Sequence, residues 1–294
     1  MPAATDLPLL CPVCSDPLGF TNPTEAGPAR LACPSRHSFD AARQGYFNLL
    51  VGRGTPFEAD SAAMVESRFN FLAAGHYRPL ADALAAAVVP CLSPQEPAVL
   101  DSGTGTGQYL RVLLDTAAAR GCKPAAVGLD ISKFALRRAA RLNPDAVTLV
   151  WDVWRRLPLA DNAVDAVTVV FAPRNAAEFS RVLRPGGRLM VVTPRKGHLA
   201  GLAAVAGMLA IEEGKDHRLA EAMAGHFDLD ESINIDIPLA LTRAEAADLA
   251  FMGPAGHHLD RAAIYGNLQE QLEPIRAEAL FRLHIFRPKG SGAA

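Results

Sequence analysis

The stretch that decides the fold is Val99-Leu100-Asp101-Ser102-Gly103-Thr104-Gly105-Thr106-Gly107. Two apolar residues precede an acid, and three glycines then alternate with threonines before an amphipathic segment that starts at Gln108. Glycine serves where a backbone must approach a ligand closely or adopt a positive φ. A strand that leads through such a turn into a helix is typical of nucleotide-type sites. The spacing is G-x-G-x-G, unlike the G-x-G-x-x-G of dinucleotide sites, and for this stretch alone a tight turn without a ligand stays an alternative.

Acidic residues end the next two apolar runs of the chain. The run at 125–130 ends in Asp130, at a distance from the glycines where an acid can accept hydrogen bonds from ribose hydroxyls. The alternative role is a helix cap, but Ser132 can cap the helical segment that begins at Lys133. Asp152 ends the third run, where a carboxylate suits a polar contact at the edge of an adenine.

The order of elements continues with a turn into the apolar strand at 164–170, an Arg-Pro-Gly-Gly turn at 184–187 and a strand at 189–192. Over roughly residues 95–195, this series resembles the core of the class I methyltransferases, which bind S-adenosylmethionine (SAM). The resemblance implies an α/β, Rossmann-like fold with a seven-stranded sheet whose last strand runs antiparallel. It implies cofactor contacts from Asp101, Gly103, Gly105, Thr106, Gly107, Asp130 and Asp152.

Near the start of the chain, Cys11-Pro12-Val13-Cys14 is followed after eighteen residues by Cys33-Pro34-Ser35-Arg36-His37. Three thiolates and one imidazole form a complete tetrahedral set for Zn²⁺, and each close pair can form a turn that directs both ligands at one ion. Thiolate ligands favour zinc over magnesium or calcium. Because four protein ligands leave no open position, we expect a structural zinc ion bound by Cys11, Cys14, Cys33 and His37.

Three other interpretations of these cysteines remain open. Cys11 and Cys14 could be a redox pair, although no strand–helix pattern surrounds them. The cysteines could be buried apolar residues, although their neighbours are proline, serine, aspartate and glycine. His37 could also be a surface residue, with a different fourth ligand. Cys91 and Cys122 stand apart from the cluster and are interpreted as structural or incidental.

Composition limits the class of protein. The chain has 294 residues, of which 50% are hydrophobic and 20% charged, as expected for a well-packed globular protein. It contains no apolar run of the ~20 residues that a membrane span needs, and its first residues lack the features of a signal peptide. Five cysteines do not suggest a disulfide framework. The expectation is a cytoplasmic protein without a membrane partner.

The net charge of −2 does not indicate nucleic-acid binding, but the basic residues are clustered. One cluster lies at 133–141 and contains no acid, and the second lies at 174–198. Either could be an ordinary solvated face. Both follow core strands, however, where a ligand-binding rim is expected, and contact with phosphate is a second interpretation.

Further motifs along the chain make a closer resemblance. They are Cys-Pro-x-Cys at 11–14, Cys-Pro-x-x-His-x-Phe-Asp at 33–40, Gly-Tyr-x-Asn-Leu-Leu at 45–50, Ala-Gly-His-Tyr-Arg-Pro-Leu at 74–80, Leu-Asp-Ile-Ser-Lys at 129–133, Phe-Ala-Pro at 171–173 and Thr-Pro-Arg-Lys-Gly-His-Leu at 193–199. This combination resembles the bacterial large-subunit rRNA (guanine-N1)-methyltransferases, a group that includes enzymes of resistance to tylosin-type macrolides. The chain departs from the family at Thr104 and Thr106, where Cys and Glu are frequent, and at 152–154.

The closer resemblance implies methyl transfer from SAM to N1 of a guanine in the hairpin 35 loop of 23S rRNA. It also implies resistance to macrolides, cofactor contacts from Tyr77 and His198, and a homodimer as one expectation. From the sequence alone, Tyr77 on an amphipathic helix is better interpreted as a core residue. Two other functions stay open: a methyltransferase acting on a small molecule, and an RNA-binding protein with a catalytically silent SAM fold.

The predicted organisation is a zinc-binding, rRNA-recognition lobe at 1–55, a helical connector at 56–92 and a methyltransferase domain at 93–294. No catalytic proton acceptor is assigned, since nothing in the spacing selects Asp152 or Asp161. Phe171 could either stack on the target base or close the core. Helices are predicted at 61–89, 199–213, 243–251 and 262–272, and strands at 229–242 and 279–286.

Overall fold

The computed structural model describes residues 7–22, 27–52, 54–207, 215–258 and 260–290. The strands are β1 Gly19–Thr21, β2 Arg30–Ala32, β3 Ser38–Asp40, β4 Phe47–Asn48, β5 Ala98–Ser102, β6 Ala125–Asp130, β7 Val147–Val150, β8 Val164–Val170, β9 Leu183–Pro194, β10 Phe227–Leu241 and β11 Ile275–Pro288. The helices are α1 Ala62–Ala73, α2 Arg78–Val88, α3 Gln108–Ala119, α4 Lys133–Leu142, α5 Ala176–Val182, α6 Ala200–Ala206, α7 Lys215–Met223, α8 Arg243–Phe251 and α9 Arg261–Asn267, with short 3-10 turns at Val89–Cys91 and Pro254–His257.

The main sheet has the strand order β10-β11-β9-β8-β5-β6-β7-β4. Strands β4 to β9 run parallel to one another, whereas β11 is antiparallel to both β9 and β10. Every residue of β5, β7 and β8 is buried, which explains why these strands appear in the sequence as continuous apolar runs. The predicted class I methyltransferase sheet, with its antiparallel closing strand, is confirmed.

The sheet has one strand more than the seven predicted. The additional strand is β4, which pairs in parallel with β7 through Phe47 opposite Leu149 and Asn48 opposite Val150. It comes from the segment that the sequence assigned wholly to the metal-binding lobe. A two-residue strand gives no periodic signal, and its pairing covers an edge that β7 would otherwise expose.

In the N-terminal lobe, residues 7–22 and 27–50 fold around the small antiparallel sheet β1-β2-β3. It is seated on the methyltransferase fold by an isolated bridge between Leu9 and Leu159 and by the hydrogen bond from Leu10 N–H to the Pro158 carbonyl. Leu9 and Leu31 are buried in the same apolar cluster as Leu157, Leu159 and the inner residues of β8. The lobe and the sheet therefore share a hydrophobic core. The domain boundaries at 55/56 and 92/93 stay a prediction.

The connector differs from the single helix predicted at 61–89. It consists of α1 and α2, separated by a turn in which Arg78 N–H donates to the Gly75 carbonyl. Ser61 caps α1 by accepting a hydrogen bond from Met64 N–H, as its position suggested. The break turns the buried Tyr77 into the space between α1 and the sheet, where it packs in the larger apolar cluster.

The predicted elements of the C-terminal third are present as α6, β10, α8, α9 and β11. Helix α6 ends at Ala206, and the end of the helix predicted at 199–213 lies outside the described residues. Among the residues that the structure describes, no helix is both long and apolar enough to cross a membrane.

Candidate cofactor site and metal centre

The metal centre is assembled from two tight turns of the N-terminal lobe. Ser15 N–H donates to the Cys11 carbonyl in the first turn, and Arg36 N–H donates to the Cys33 carbonyl in the second. Ser15 and Arg36 both have a positive φ, which reverses the chain so that each turn presents two ligands on the same side. The sequence spacing predicted such paired ligands.

The four predicted ligands come together. The Sγ atoms of the three cysteines and a ring nitrogen of His37 all lie within 4.8 Å of one another. The Cys14–Cys33 Sγ distance is 3.6 Å and Cys33 Sγ lies 3.4 Å from His37 Nδ1. A zinc ion with Zn–S bonds of ~2.3 Å needs ligand–ligand distances of about 3.8 Å, so the arrangement fits tetrahedral zinc. The chain has an N-terminal zinc ribbon with these four ligands.

The glycine-rich turn lies at the carboxyl end of β5, the central strand. Gly103 has a φ of +77°, and a Cβ placed there would lie 2.2 Å from the Ala172 side chain. Gly107 has a φ of +86°, and a Cβ there would meet Asn143 Nδ2 at 2.6 Å. Both positions therefore require glycine for backbone conformation and for packing. Between them, Gly105 N–H donates to Asp130 Oδ2 at 2.9 Å, which ties the turn to the neighbouring strand.

Asp130 ends β6 beside this turn. Its Oδ1 accepts from Ser132 N–H at 2.8 Å while its Oδ2 accepts from Gly105 N–H, and Ser132 Oγ caps α4 as predicted. Burial raises the pKa of Asp130, and the two backbone hydrogen bonds oppose that shift. A carboxylate has about four acceptor positions, so two backbone bonds leave capacity for ribose hydroxyls.

Asp101 is buried at the end of β5, with 3% of its surface exposed. Its Oδ1 accepts from Thr168 Oγ1 at 2.7 Å. Its Oδ2 makes no well-formed hydrogen bond within the described part of the chain, although the nearby Thr104 hydroxyl lowers the pKa of the carboxyl group. Burial raises the pKa of this carboxyl group. An unpartnered buried carboxylate oxygen is costly, and a ligand that carries a positive charge or donates a hydrogen bond would satisfy it.

Asp152, which is predicted to contact adenine, is buried just beyond β7, and both of its carboxylate oxygens accept hydrogen bonds from the protein. Thr55 Oγ1 donates to its Oδ2 at 2.8 Å, and Trp154 N–H donates to its Oδ1 at 3.0 Å. Asp152 thus fastens the linker that leaves the zinc ribbon to the rim of the site. Its contact with a cofactor remains a prediction, and nothing in the sequence indicated Thr55 as its partner.

Three predicted residues converge on Phe281, a fully buried residue of β11 that sequence reasoning missed. The Phe281 ring lies 4.9 Å from Tyr77, 4.7 Å from His198 and 5.2 Å from Phe171, measured between ring centroids. His198 Nδ1 accepts from Leu280 N–H at 3.0 Å, which fixes the imidazole beside the sheet edge. Burial raises the pKa of Tyr77 well above its usual value. Tyr77 packs as a core residue, and its predicted cofactor contact stays a prediction.

Phe171 follows β8 directly and has an unusual conformation. Its φ is +55°, which is unfavourable for a residue with a Cβ, and 47% of its surface is exposed. A backbone held in such a conformation, with an apolar ring turned to the surface, is typical of functional segments. Of the two roles considered from the sequence, the exposure favours a contact surface over closure of the core.

The two basic clusters have different surroundings. The arginines of the second cluster are largely paired: Arg181 with Glu178 at 2.6 Å, Arg184 with Asp165 at 3.0 Å and Arg188 with Asp230 at 3.1 Å. These pairs lie where β9 begins, at the edge of the sheet opposite the glycine-rich turn. Asp161 lies at that edge too, 2.8 Å from Arg181, which separates it from the site. In the first cluster, Arg137 lies over the half-exposed ring of Phe134 at 5.2 Å.

Together, these features fit SAM, a ligand with an adenosine and a cationic amino-acid end. The turn at Gly103–Gly107 gives the close backbone approach, Asp130 has acceptor capacity for ribose, and Asp101 has an unpartnered oxygen for a donor or cation. Thr106 is buried within the turn, with its hydroxyl hydrogen-bonded to Gln108 Oε1. When bound, SAM supplies an electrophilic methyl group.

Comparison with known proteins agrees with this division of the chain. Residues 9–51 match the family model described as "RlmA, N-terminal", a zinc ribbon, and residues 99–187 match one described as "Methyltransferase domain". A Micromonospora griseorubida protein, named provisionally as a 23S rRNA (guanine-N(1)-)-methyltransferase, is 44% identical over 95% of this chain and 97% of its own length. The Streptomyces fradiae 23S rRNA (guanine(748)-N(1))-methyltransferase is 42% identical over 86% of each chain.

Methyltransferases that act on other substrates match a smaller part of the chain. A ubiquinone/menaquinone biosynthesis C-methyltransferase of Syntrophotalea carbinolica is 41% identical over 117 residues, which is 35% of this chain and 48% of that protein. The similarity to the two proteins above, in contrast, extends along nearly the whole chain.

Proposed function

We propose a specific reaction for this chain, which belongs to the family of 23S rRNA (guanine-N1)-methyltransferases: it transfers the methyl group of SAM to N1 of a guanine in the hairpin 35 loop of 23S rRNA. The observation that carries the rRNA substrate and the guanine-N1 chemistry is the sequence identity of 44% over 95% of the chain, zinc ribbon included. The hairpin 35 target follows from the resemblance of the sequence motifs described above. A methyltransferase of small molecules would leave the ribbon, and the core that it shares with the sheet, without a role. The expected consequence of methylation is resistance to tylosin-type macrolides.

The chemistry requires alignment more than activation. Methyl transfer is an in-line displacement, in which the guanine nitrogen forms a bond to the methyl carbon as the carbon–sulfur bond breaks and the N1 proton is lost. Holding the two reactants in line can remove much of the barrier. N1 faces the partner base in a duplex, so the guanine must be unpaired or flipped out to react, and a loop nucleotide is the least costly to extract.

Phe171 is the residue best placed to hold the extracted base. Its exposed ring lies at the carboxyl edge of β8, and Ala172, its neighbour in the chain, contacts the position where a Gly103 side chain would be. Stacking of an unpaired base on an aromatic ring contributes ~1–3 kcal/mol and does not depend on base identity. The buried Phe281 ring packs against the Phe171 ring, with 5.2 Å between the ring centroids.

The proposed reaction can be tested on unmodified 23S rRNA with labelled SAM, followed by reverse transcription across hairpin 35. We expect one SAM-dependent stop at a loop guanine, because a methyl group on N1 blocks base pairing. The Phe171→Ala protein should give a stop at least tenfold weaker while binding S-adenosylhomocysteine normally, since the base and the cofactor use different surfaces. Label in rRNA outside hairpin 35 would disprove the target. The absence of label in rRNA, with cofactor binding intact, would favour a small-molecule substrate.

Asp101→Asn should separate cofactor binding from stability. Because desolvation raises the folded-state pKa of Asp101 above its unfolded value, ionisation at neutral pH costs folding free energy. The free protein should therefore gain stability as the pH falls through the folded-state pKa toward the lower unfolded-state pKa. The asparagine variant should therefore melt at a higher temperature than the wild type at pH 7, lose this pH dependence, and bind S-adenosylhomocysteine about tenfold more weakly. Thermal scans with and without this ligand give both quantities. A lower melting temperature with unchanged affinity would contradict the assignment.

A further inference from the structure

Arg174 is a charged residue that the reaction described so far does not use. It lies in the segment between β8 and α5, two residues after Ala172, whose side chain occupies the space that a Gly103 side chain would need. Beyond it, the segment is fixed by Asn175, which caps α5 and donates from Nδ2 to the Val153 carbonyl at 2.9 Å. The backbone of Arg174 is therefore held at the carboxyl edge of the sheet, beside the cofactor turn.

The guanidinium group of Arg174 has no anionic partner. The other arginines described above for its basic cluster each pair with a carboxylate, whereas Arg174 makes neither a hydrogen bond nor an ion pair with the residues that the structure describes. The residue is only partly exposed, and burial alone lowers its pKa. Its nitrogen atoms are nevertheless not sealed from solvent, so a ligand can reach them. A partly desolvated guanidinium without a counter-charge is costly, and an oxyanion is the ligand that it binds best.

Two exposed aromatic residues lie close to this arginine. Phe171 precedes it by three residues and has 47% of its surface exposed. Trp154 follows Val153, whose carbonyl accepts the hydrogen bond from Asn175, and has 52% of its surface exposed. Single exposed apolar residues are ordinary, but their concentration at one edge indicates a binding surface. Throughout the described part of the chain, each exposed phenylalanine or tryptophan follows a strand at the carboxyl edge or lies in the linker fastened there: Phe57, Phe134, Trp154 and Phe171.

Two aromatic rings with a guanidinium group near both fit single-stranded RNA. Bases stack on aromatic side chains with ~1–3 kcal/mol each, whatever the base, and the planar fork of arginine matches the oxygens of a phosphate. Consecutive bases of a strand are joined through one phosphate. A cation that adjoins two base-stacking rings is therefore well placed for the phosphate that links the two bases.

We propose that Phe171, Arg174 and Trp154 bind two consecutive nucleotides of the RNA substrate. The target guanine stacks on Phe171, the neighbouring base stacks on Trp154, and Arg174 binds the phosphate that joins them. The proposal rests on the function proposed above and extends its site from one base to a dinucleotide. It gives the unpaired charge of Arg174 a role, because that charge is neutralised when the RNA is in position for methyl transfer.

Arg174→Gln tests the phosphate contact in the full-length, zinc-loaded protein, through binding to a 23S rRNA fragment that contains hairpin 35, with S-adenosylhomocysteine present. We expect affinity to fall about tenfold at 0.1 M salt and the slope of log K against log[salt] to decrease by about 0.7, the value for one phosphate of a single strand. Arg174→Lys keeps the charge but loses the fork, so it should keep the slope and lose about threefold in affinity. Arg120→Gln, at an exposed position after α3, is the control of equal charge change and should bind as the wild type does.

Trp154→Ala tests the second stacking position. We expect affinity for the same fragment to fall about tenfold with an unchanged salt slope, since stacking involves no counterion release. Leu229→Ala is the control, because Leu229 has a similar exposure of 53% and lies at the start of β10, opposite Phe286 and far from the carboxyl edge. It should bind the RNA as the wild type does. Equal losses in Trp154→Ala and Leu229→Ala would contradict a specific stacking position.

Two synthetic RNA fragments test which phosphate is bound. In each fragment, one phosphate beside the target guanosine, on its 5′ or its 3′ side, is replaced by an uncharged methylphosphonate. One of the two should bind the wild type about tenfold more weakly than the unmodified fragment and should bind Arg174→Gln no more weakly. Equal losses for both proteins with both fragments would show that Arg174 contacts neither phosphate and would overturn the proposal.

Zinc content and affinity for S-adenosylhomocysteine should be unchanged in all variants, and Arg174→Gln should melt at or above the wild-type temperature because an unpaired, partly buried charge is removed. Weaker binding of S-adenosylhomocysteine by Arg174→Gln would assign the guanidinium group to the cofactor, and a lower melting temperature with unchanged RNA affinity would assign it to the fold. Either result overturns the proposal. If all variants bind RNA as the wild type does while the wild type methylates a loop guanine, the dinucleotide site is wrong and the proposed function stands. If the wild type neither binds nor methylates 23S rRNA, the proposed function fails and the site fails with it.

Discussion

Replacing Cys33 with serine is expected to release the zinc ion and to reduce methylation of 23S rRNA at least 100-fold. A serine hydroxyl does not replace a thiolate ligand, and three-residue strands such as β1 and β2 bury too little surface to hold the ribbon together without a metal. Because Leu9 and Leu31 are buried in a core shared with β8, the loss of the ribbon also exposes apolar surface of the sheet. Metal analysis, thermal unfolding and the methylation assay measure the three effects.

The cost in stability should be several kcal/mol, which for a chain of this size lowers the melting temperature by roughly 10 °C or more. Cys122→Ser is the matched control, since Cys122 is only partly buried and lies outside the cluster. It should keep one zinc per chain and wild-type activity. A Cys33→Ser protein that retains stoichiometric zinc would show that the ligand set is incorrect. One that loses zinc but methylates rRNA normally would show that the ribbon has no part in the reaction.

The features that could be predicted from the sequence are those whose parts lie close together in the chain. The C-x₂-C and C-x₃-H spacings fix their turns locally, and both pairs could be assigned to one metal ion because four ligands complete a tetrahedron. The glycine-rich turn, Asp130 and the cap at Ser132 are likewise set within a few residues of a strand end. Local spacing was sufficient for these sites because a strand end and a turn determine where their side chains lie.

The features that escaped prediction depend on contacts between distant segments. Phe281 is one apolar residue in an alternating strand, and its role as the point where Tyr77, His198 and Phe171 meet appears only when β11 is placed between β9 and β10. The hydrogen bond between the side chains of Thr55 and Asp152 joins residues that are 97 positions apart in the sequence. A small cavity lined by Ser15 of the zinc ribbon and by Trp151 has the same origin, since the two residues come from different lobes. Sequence periodicity carries no information about contacts between residues that are distant in the sequence.

Gly103→Ala is expected to have the second large effect, a loss of affinity for S-adenosylhomocysteine of at least about 100-fold. The new Cβ would lie 2.2 Å from the Ala172 Cβ, and the φ of +77° is unfavourable for alanine. The turn must therefore move away from β8, which displaces the backbone that approaches the cofactor. We also expect a loss of stability of about 2–4 kcal/mol, from steric overlap together with backbone strain. Calorimetric titration and chemical denaturation measure the two quantities.

Gly121→Ala separates the two causes. Gly121 has a φ of +76°, but a Cβ there would meet no atom within 4 Å, so this control carries the backbone strain without the overlap. It should cost only ~1–2 kcal/mol and leave the affinity for S-adenosylhomocysteine unchanged. Combining Gly103→Ala with Ala172→Gly removes the colliding methyl group, and the double variant should recover part of the affinity while its stability stays below that of the wild type. If Gly103→Ala binds S-adenosylhomocysteine with wild-type affinity, the turn accommodates the alanine side chain without an effect on cofactor binding. If the double variant binds S-adenosylhomocysteine no better than Gly103→Ala does, backbone strain at Gly103 accounts for the loss of affinity. Contact with the segment after β8 would then not hold the cofactor turn in place.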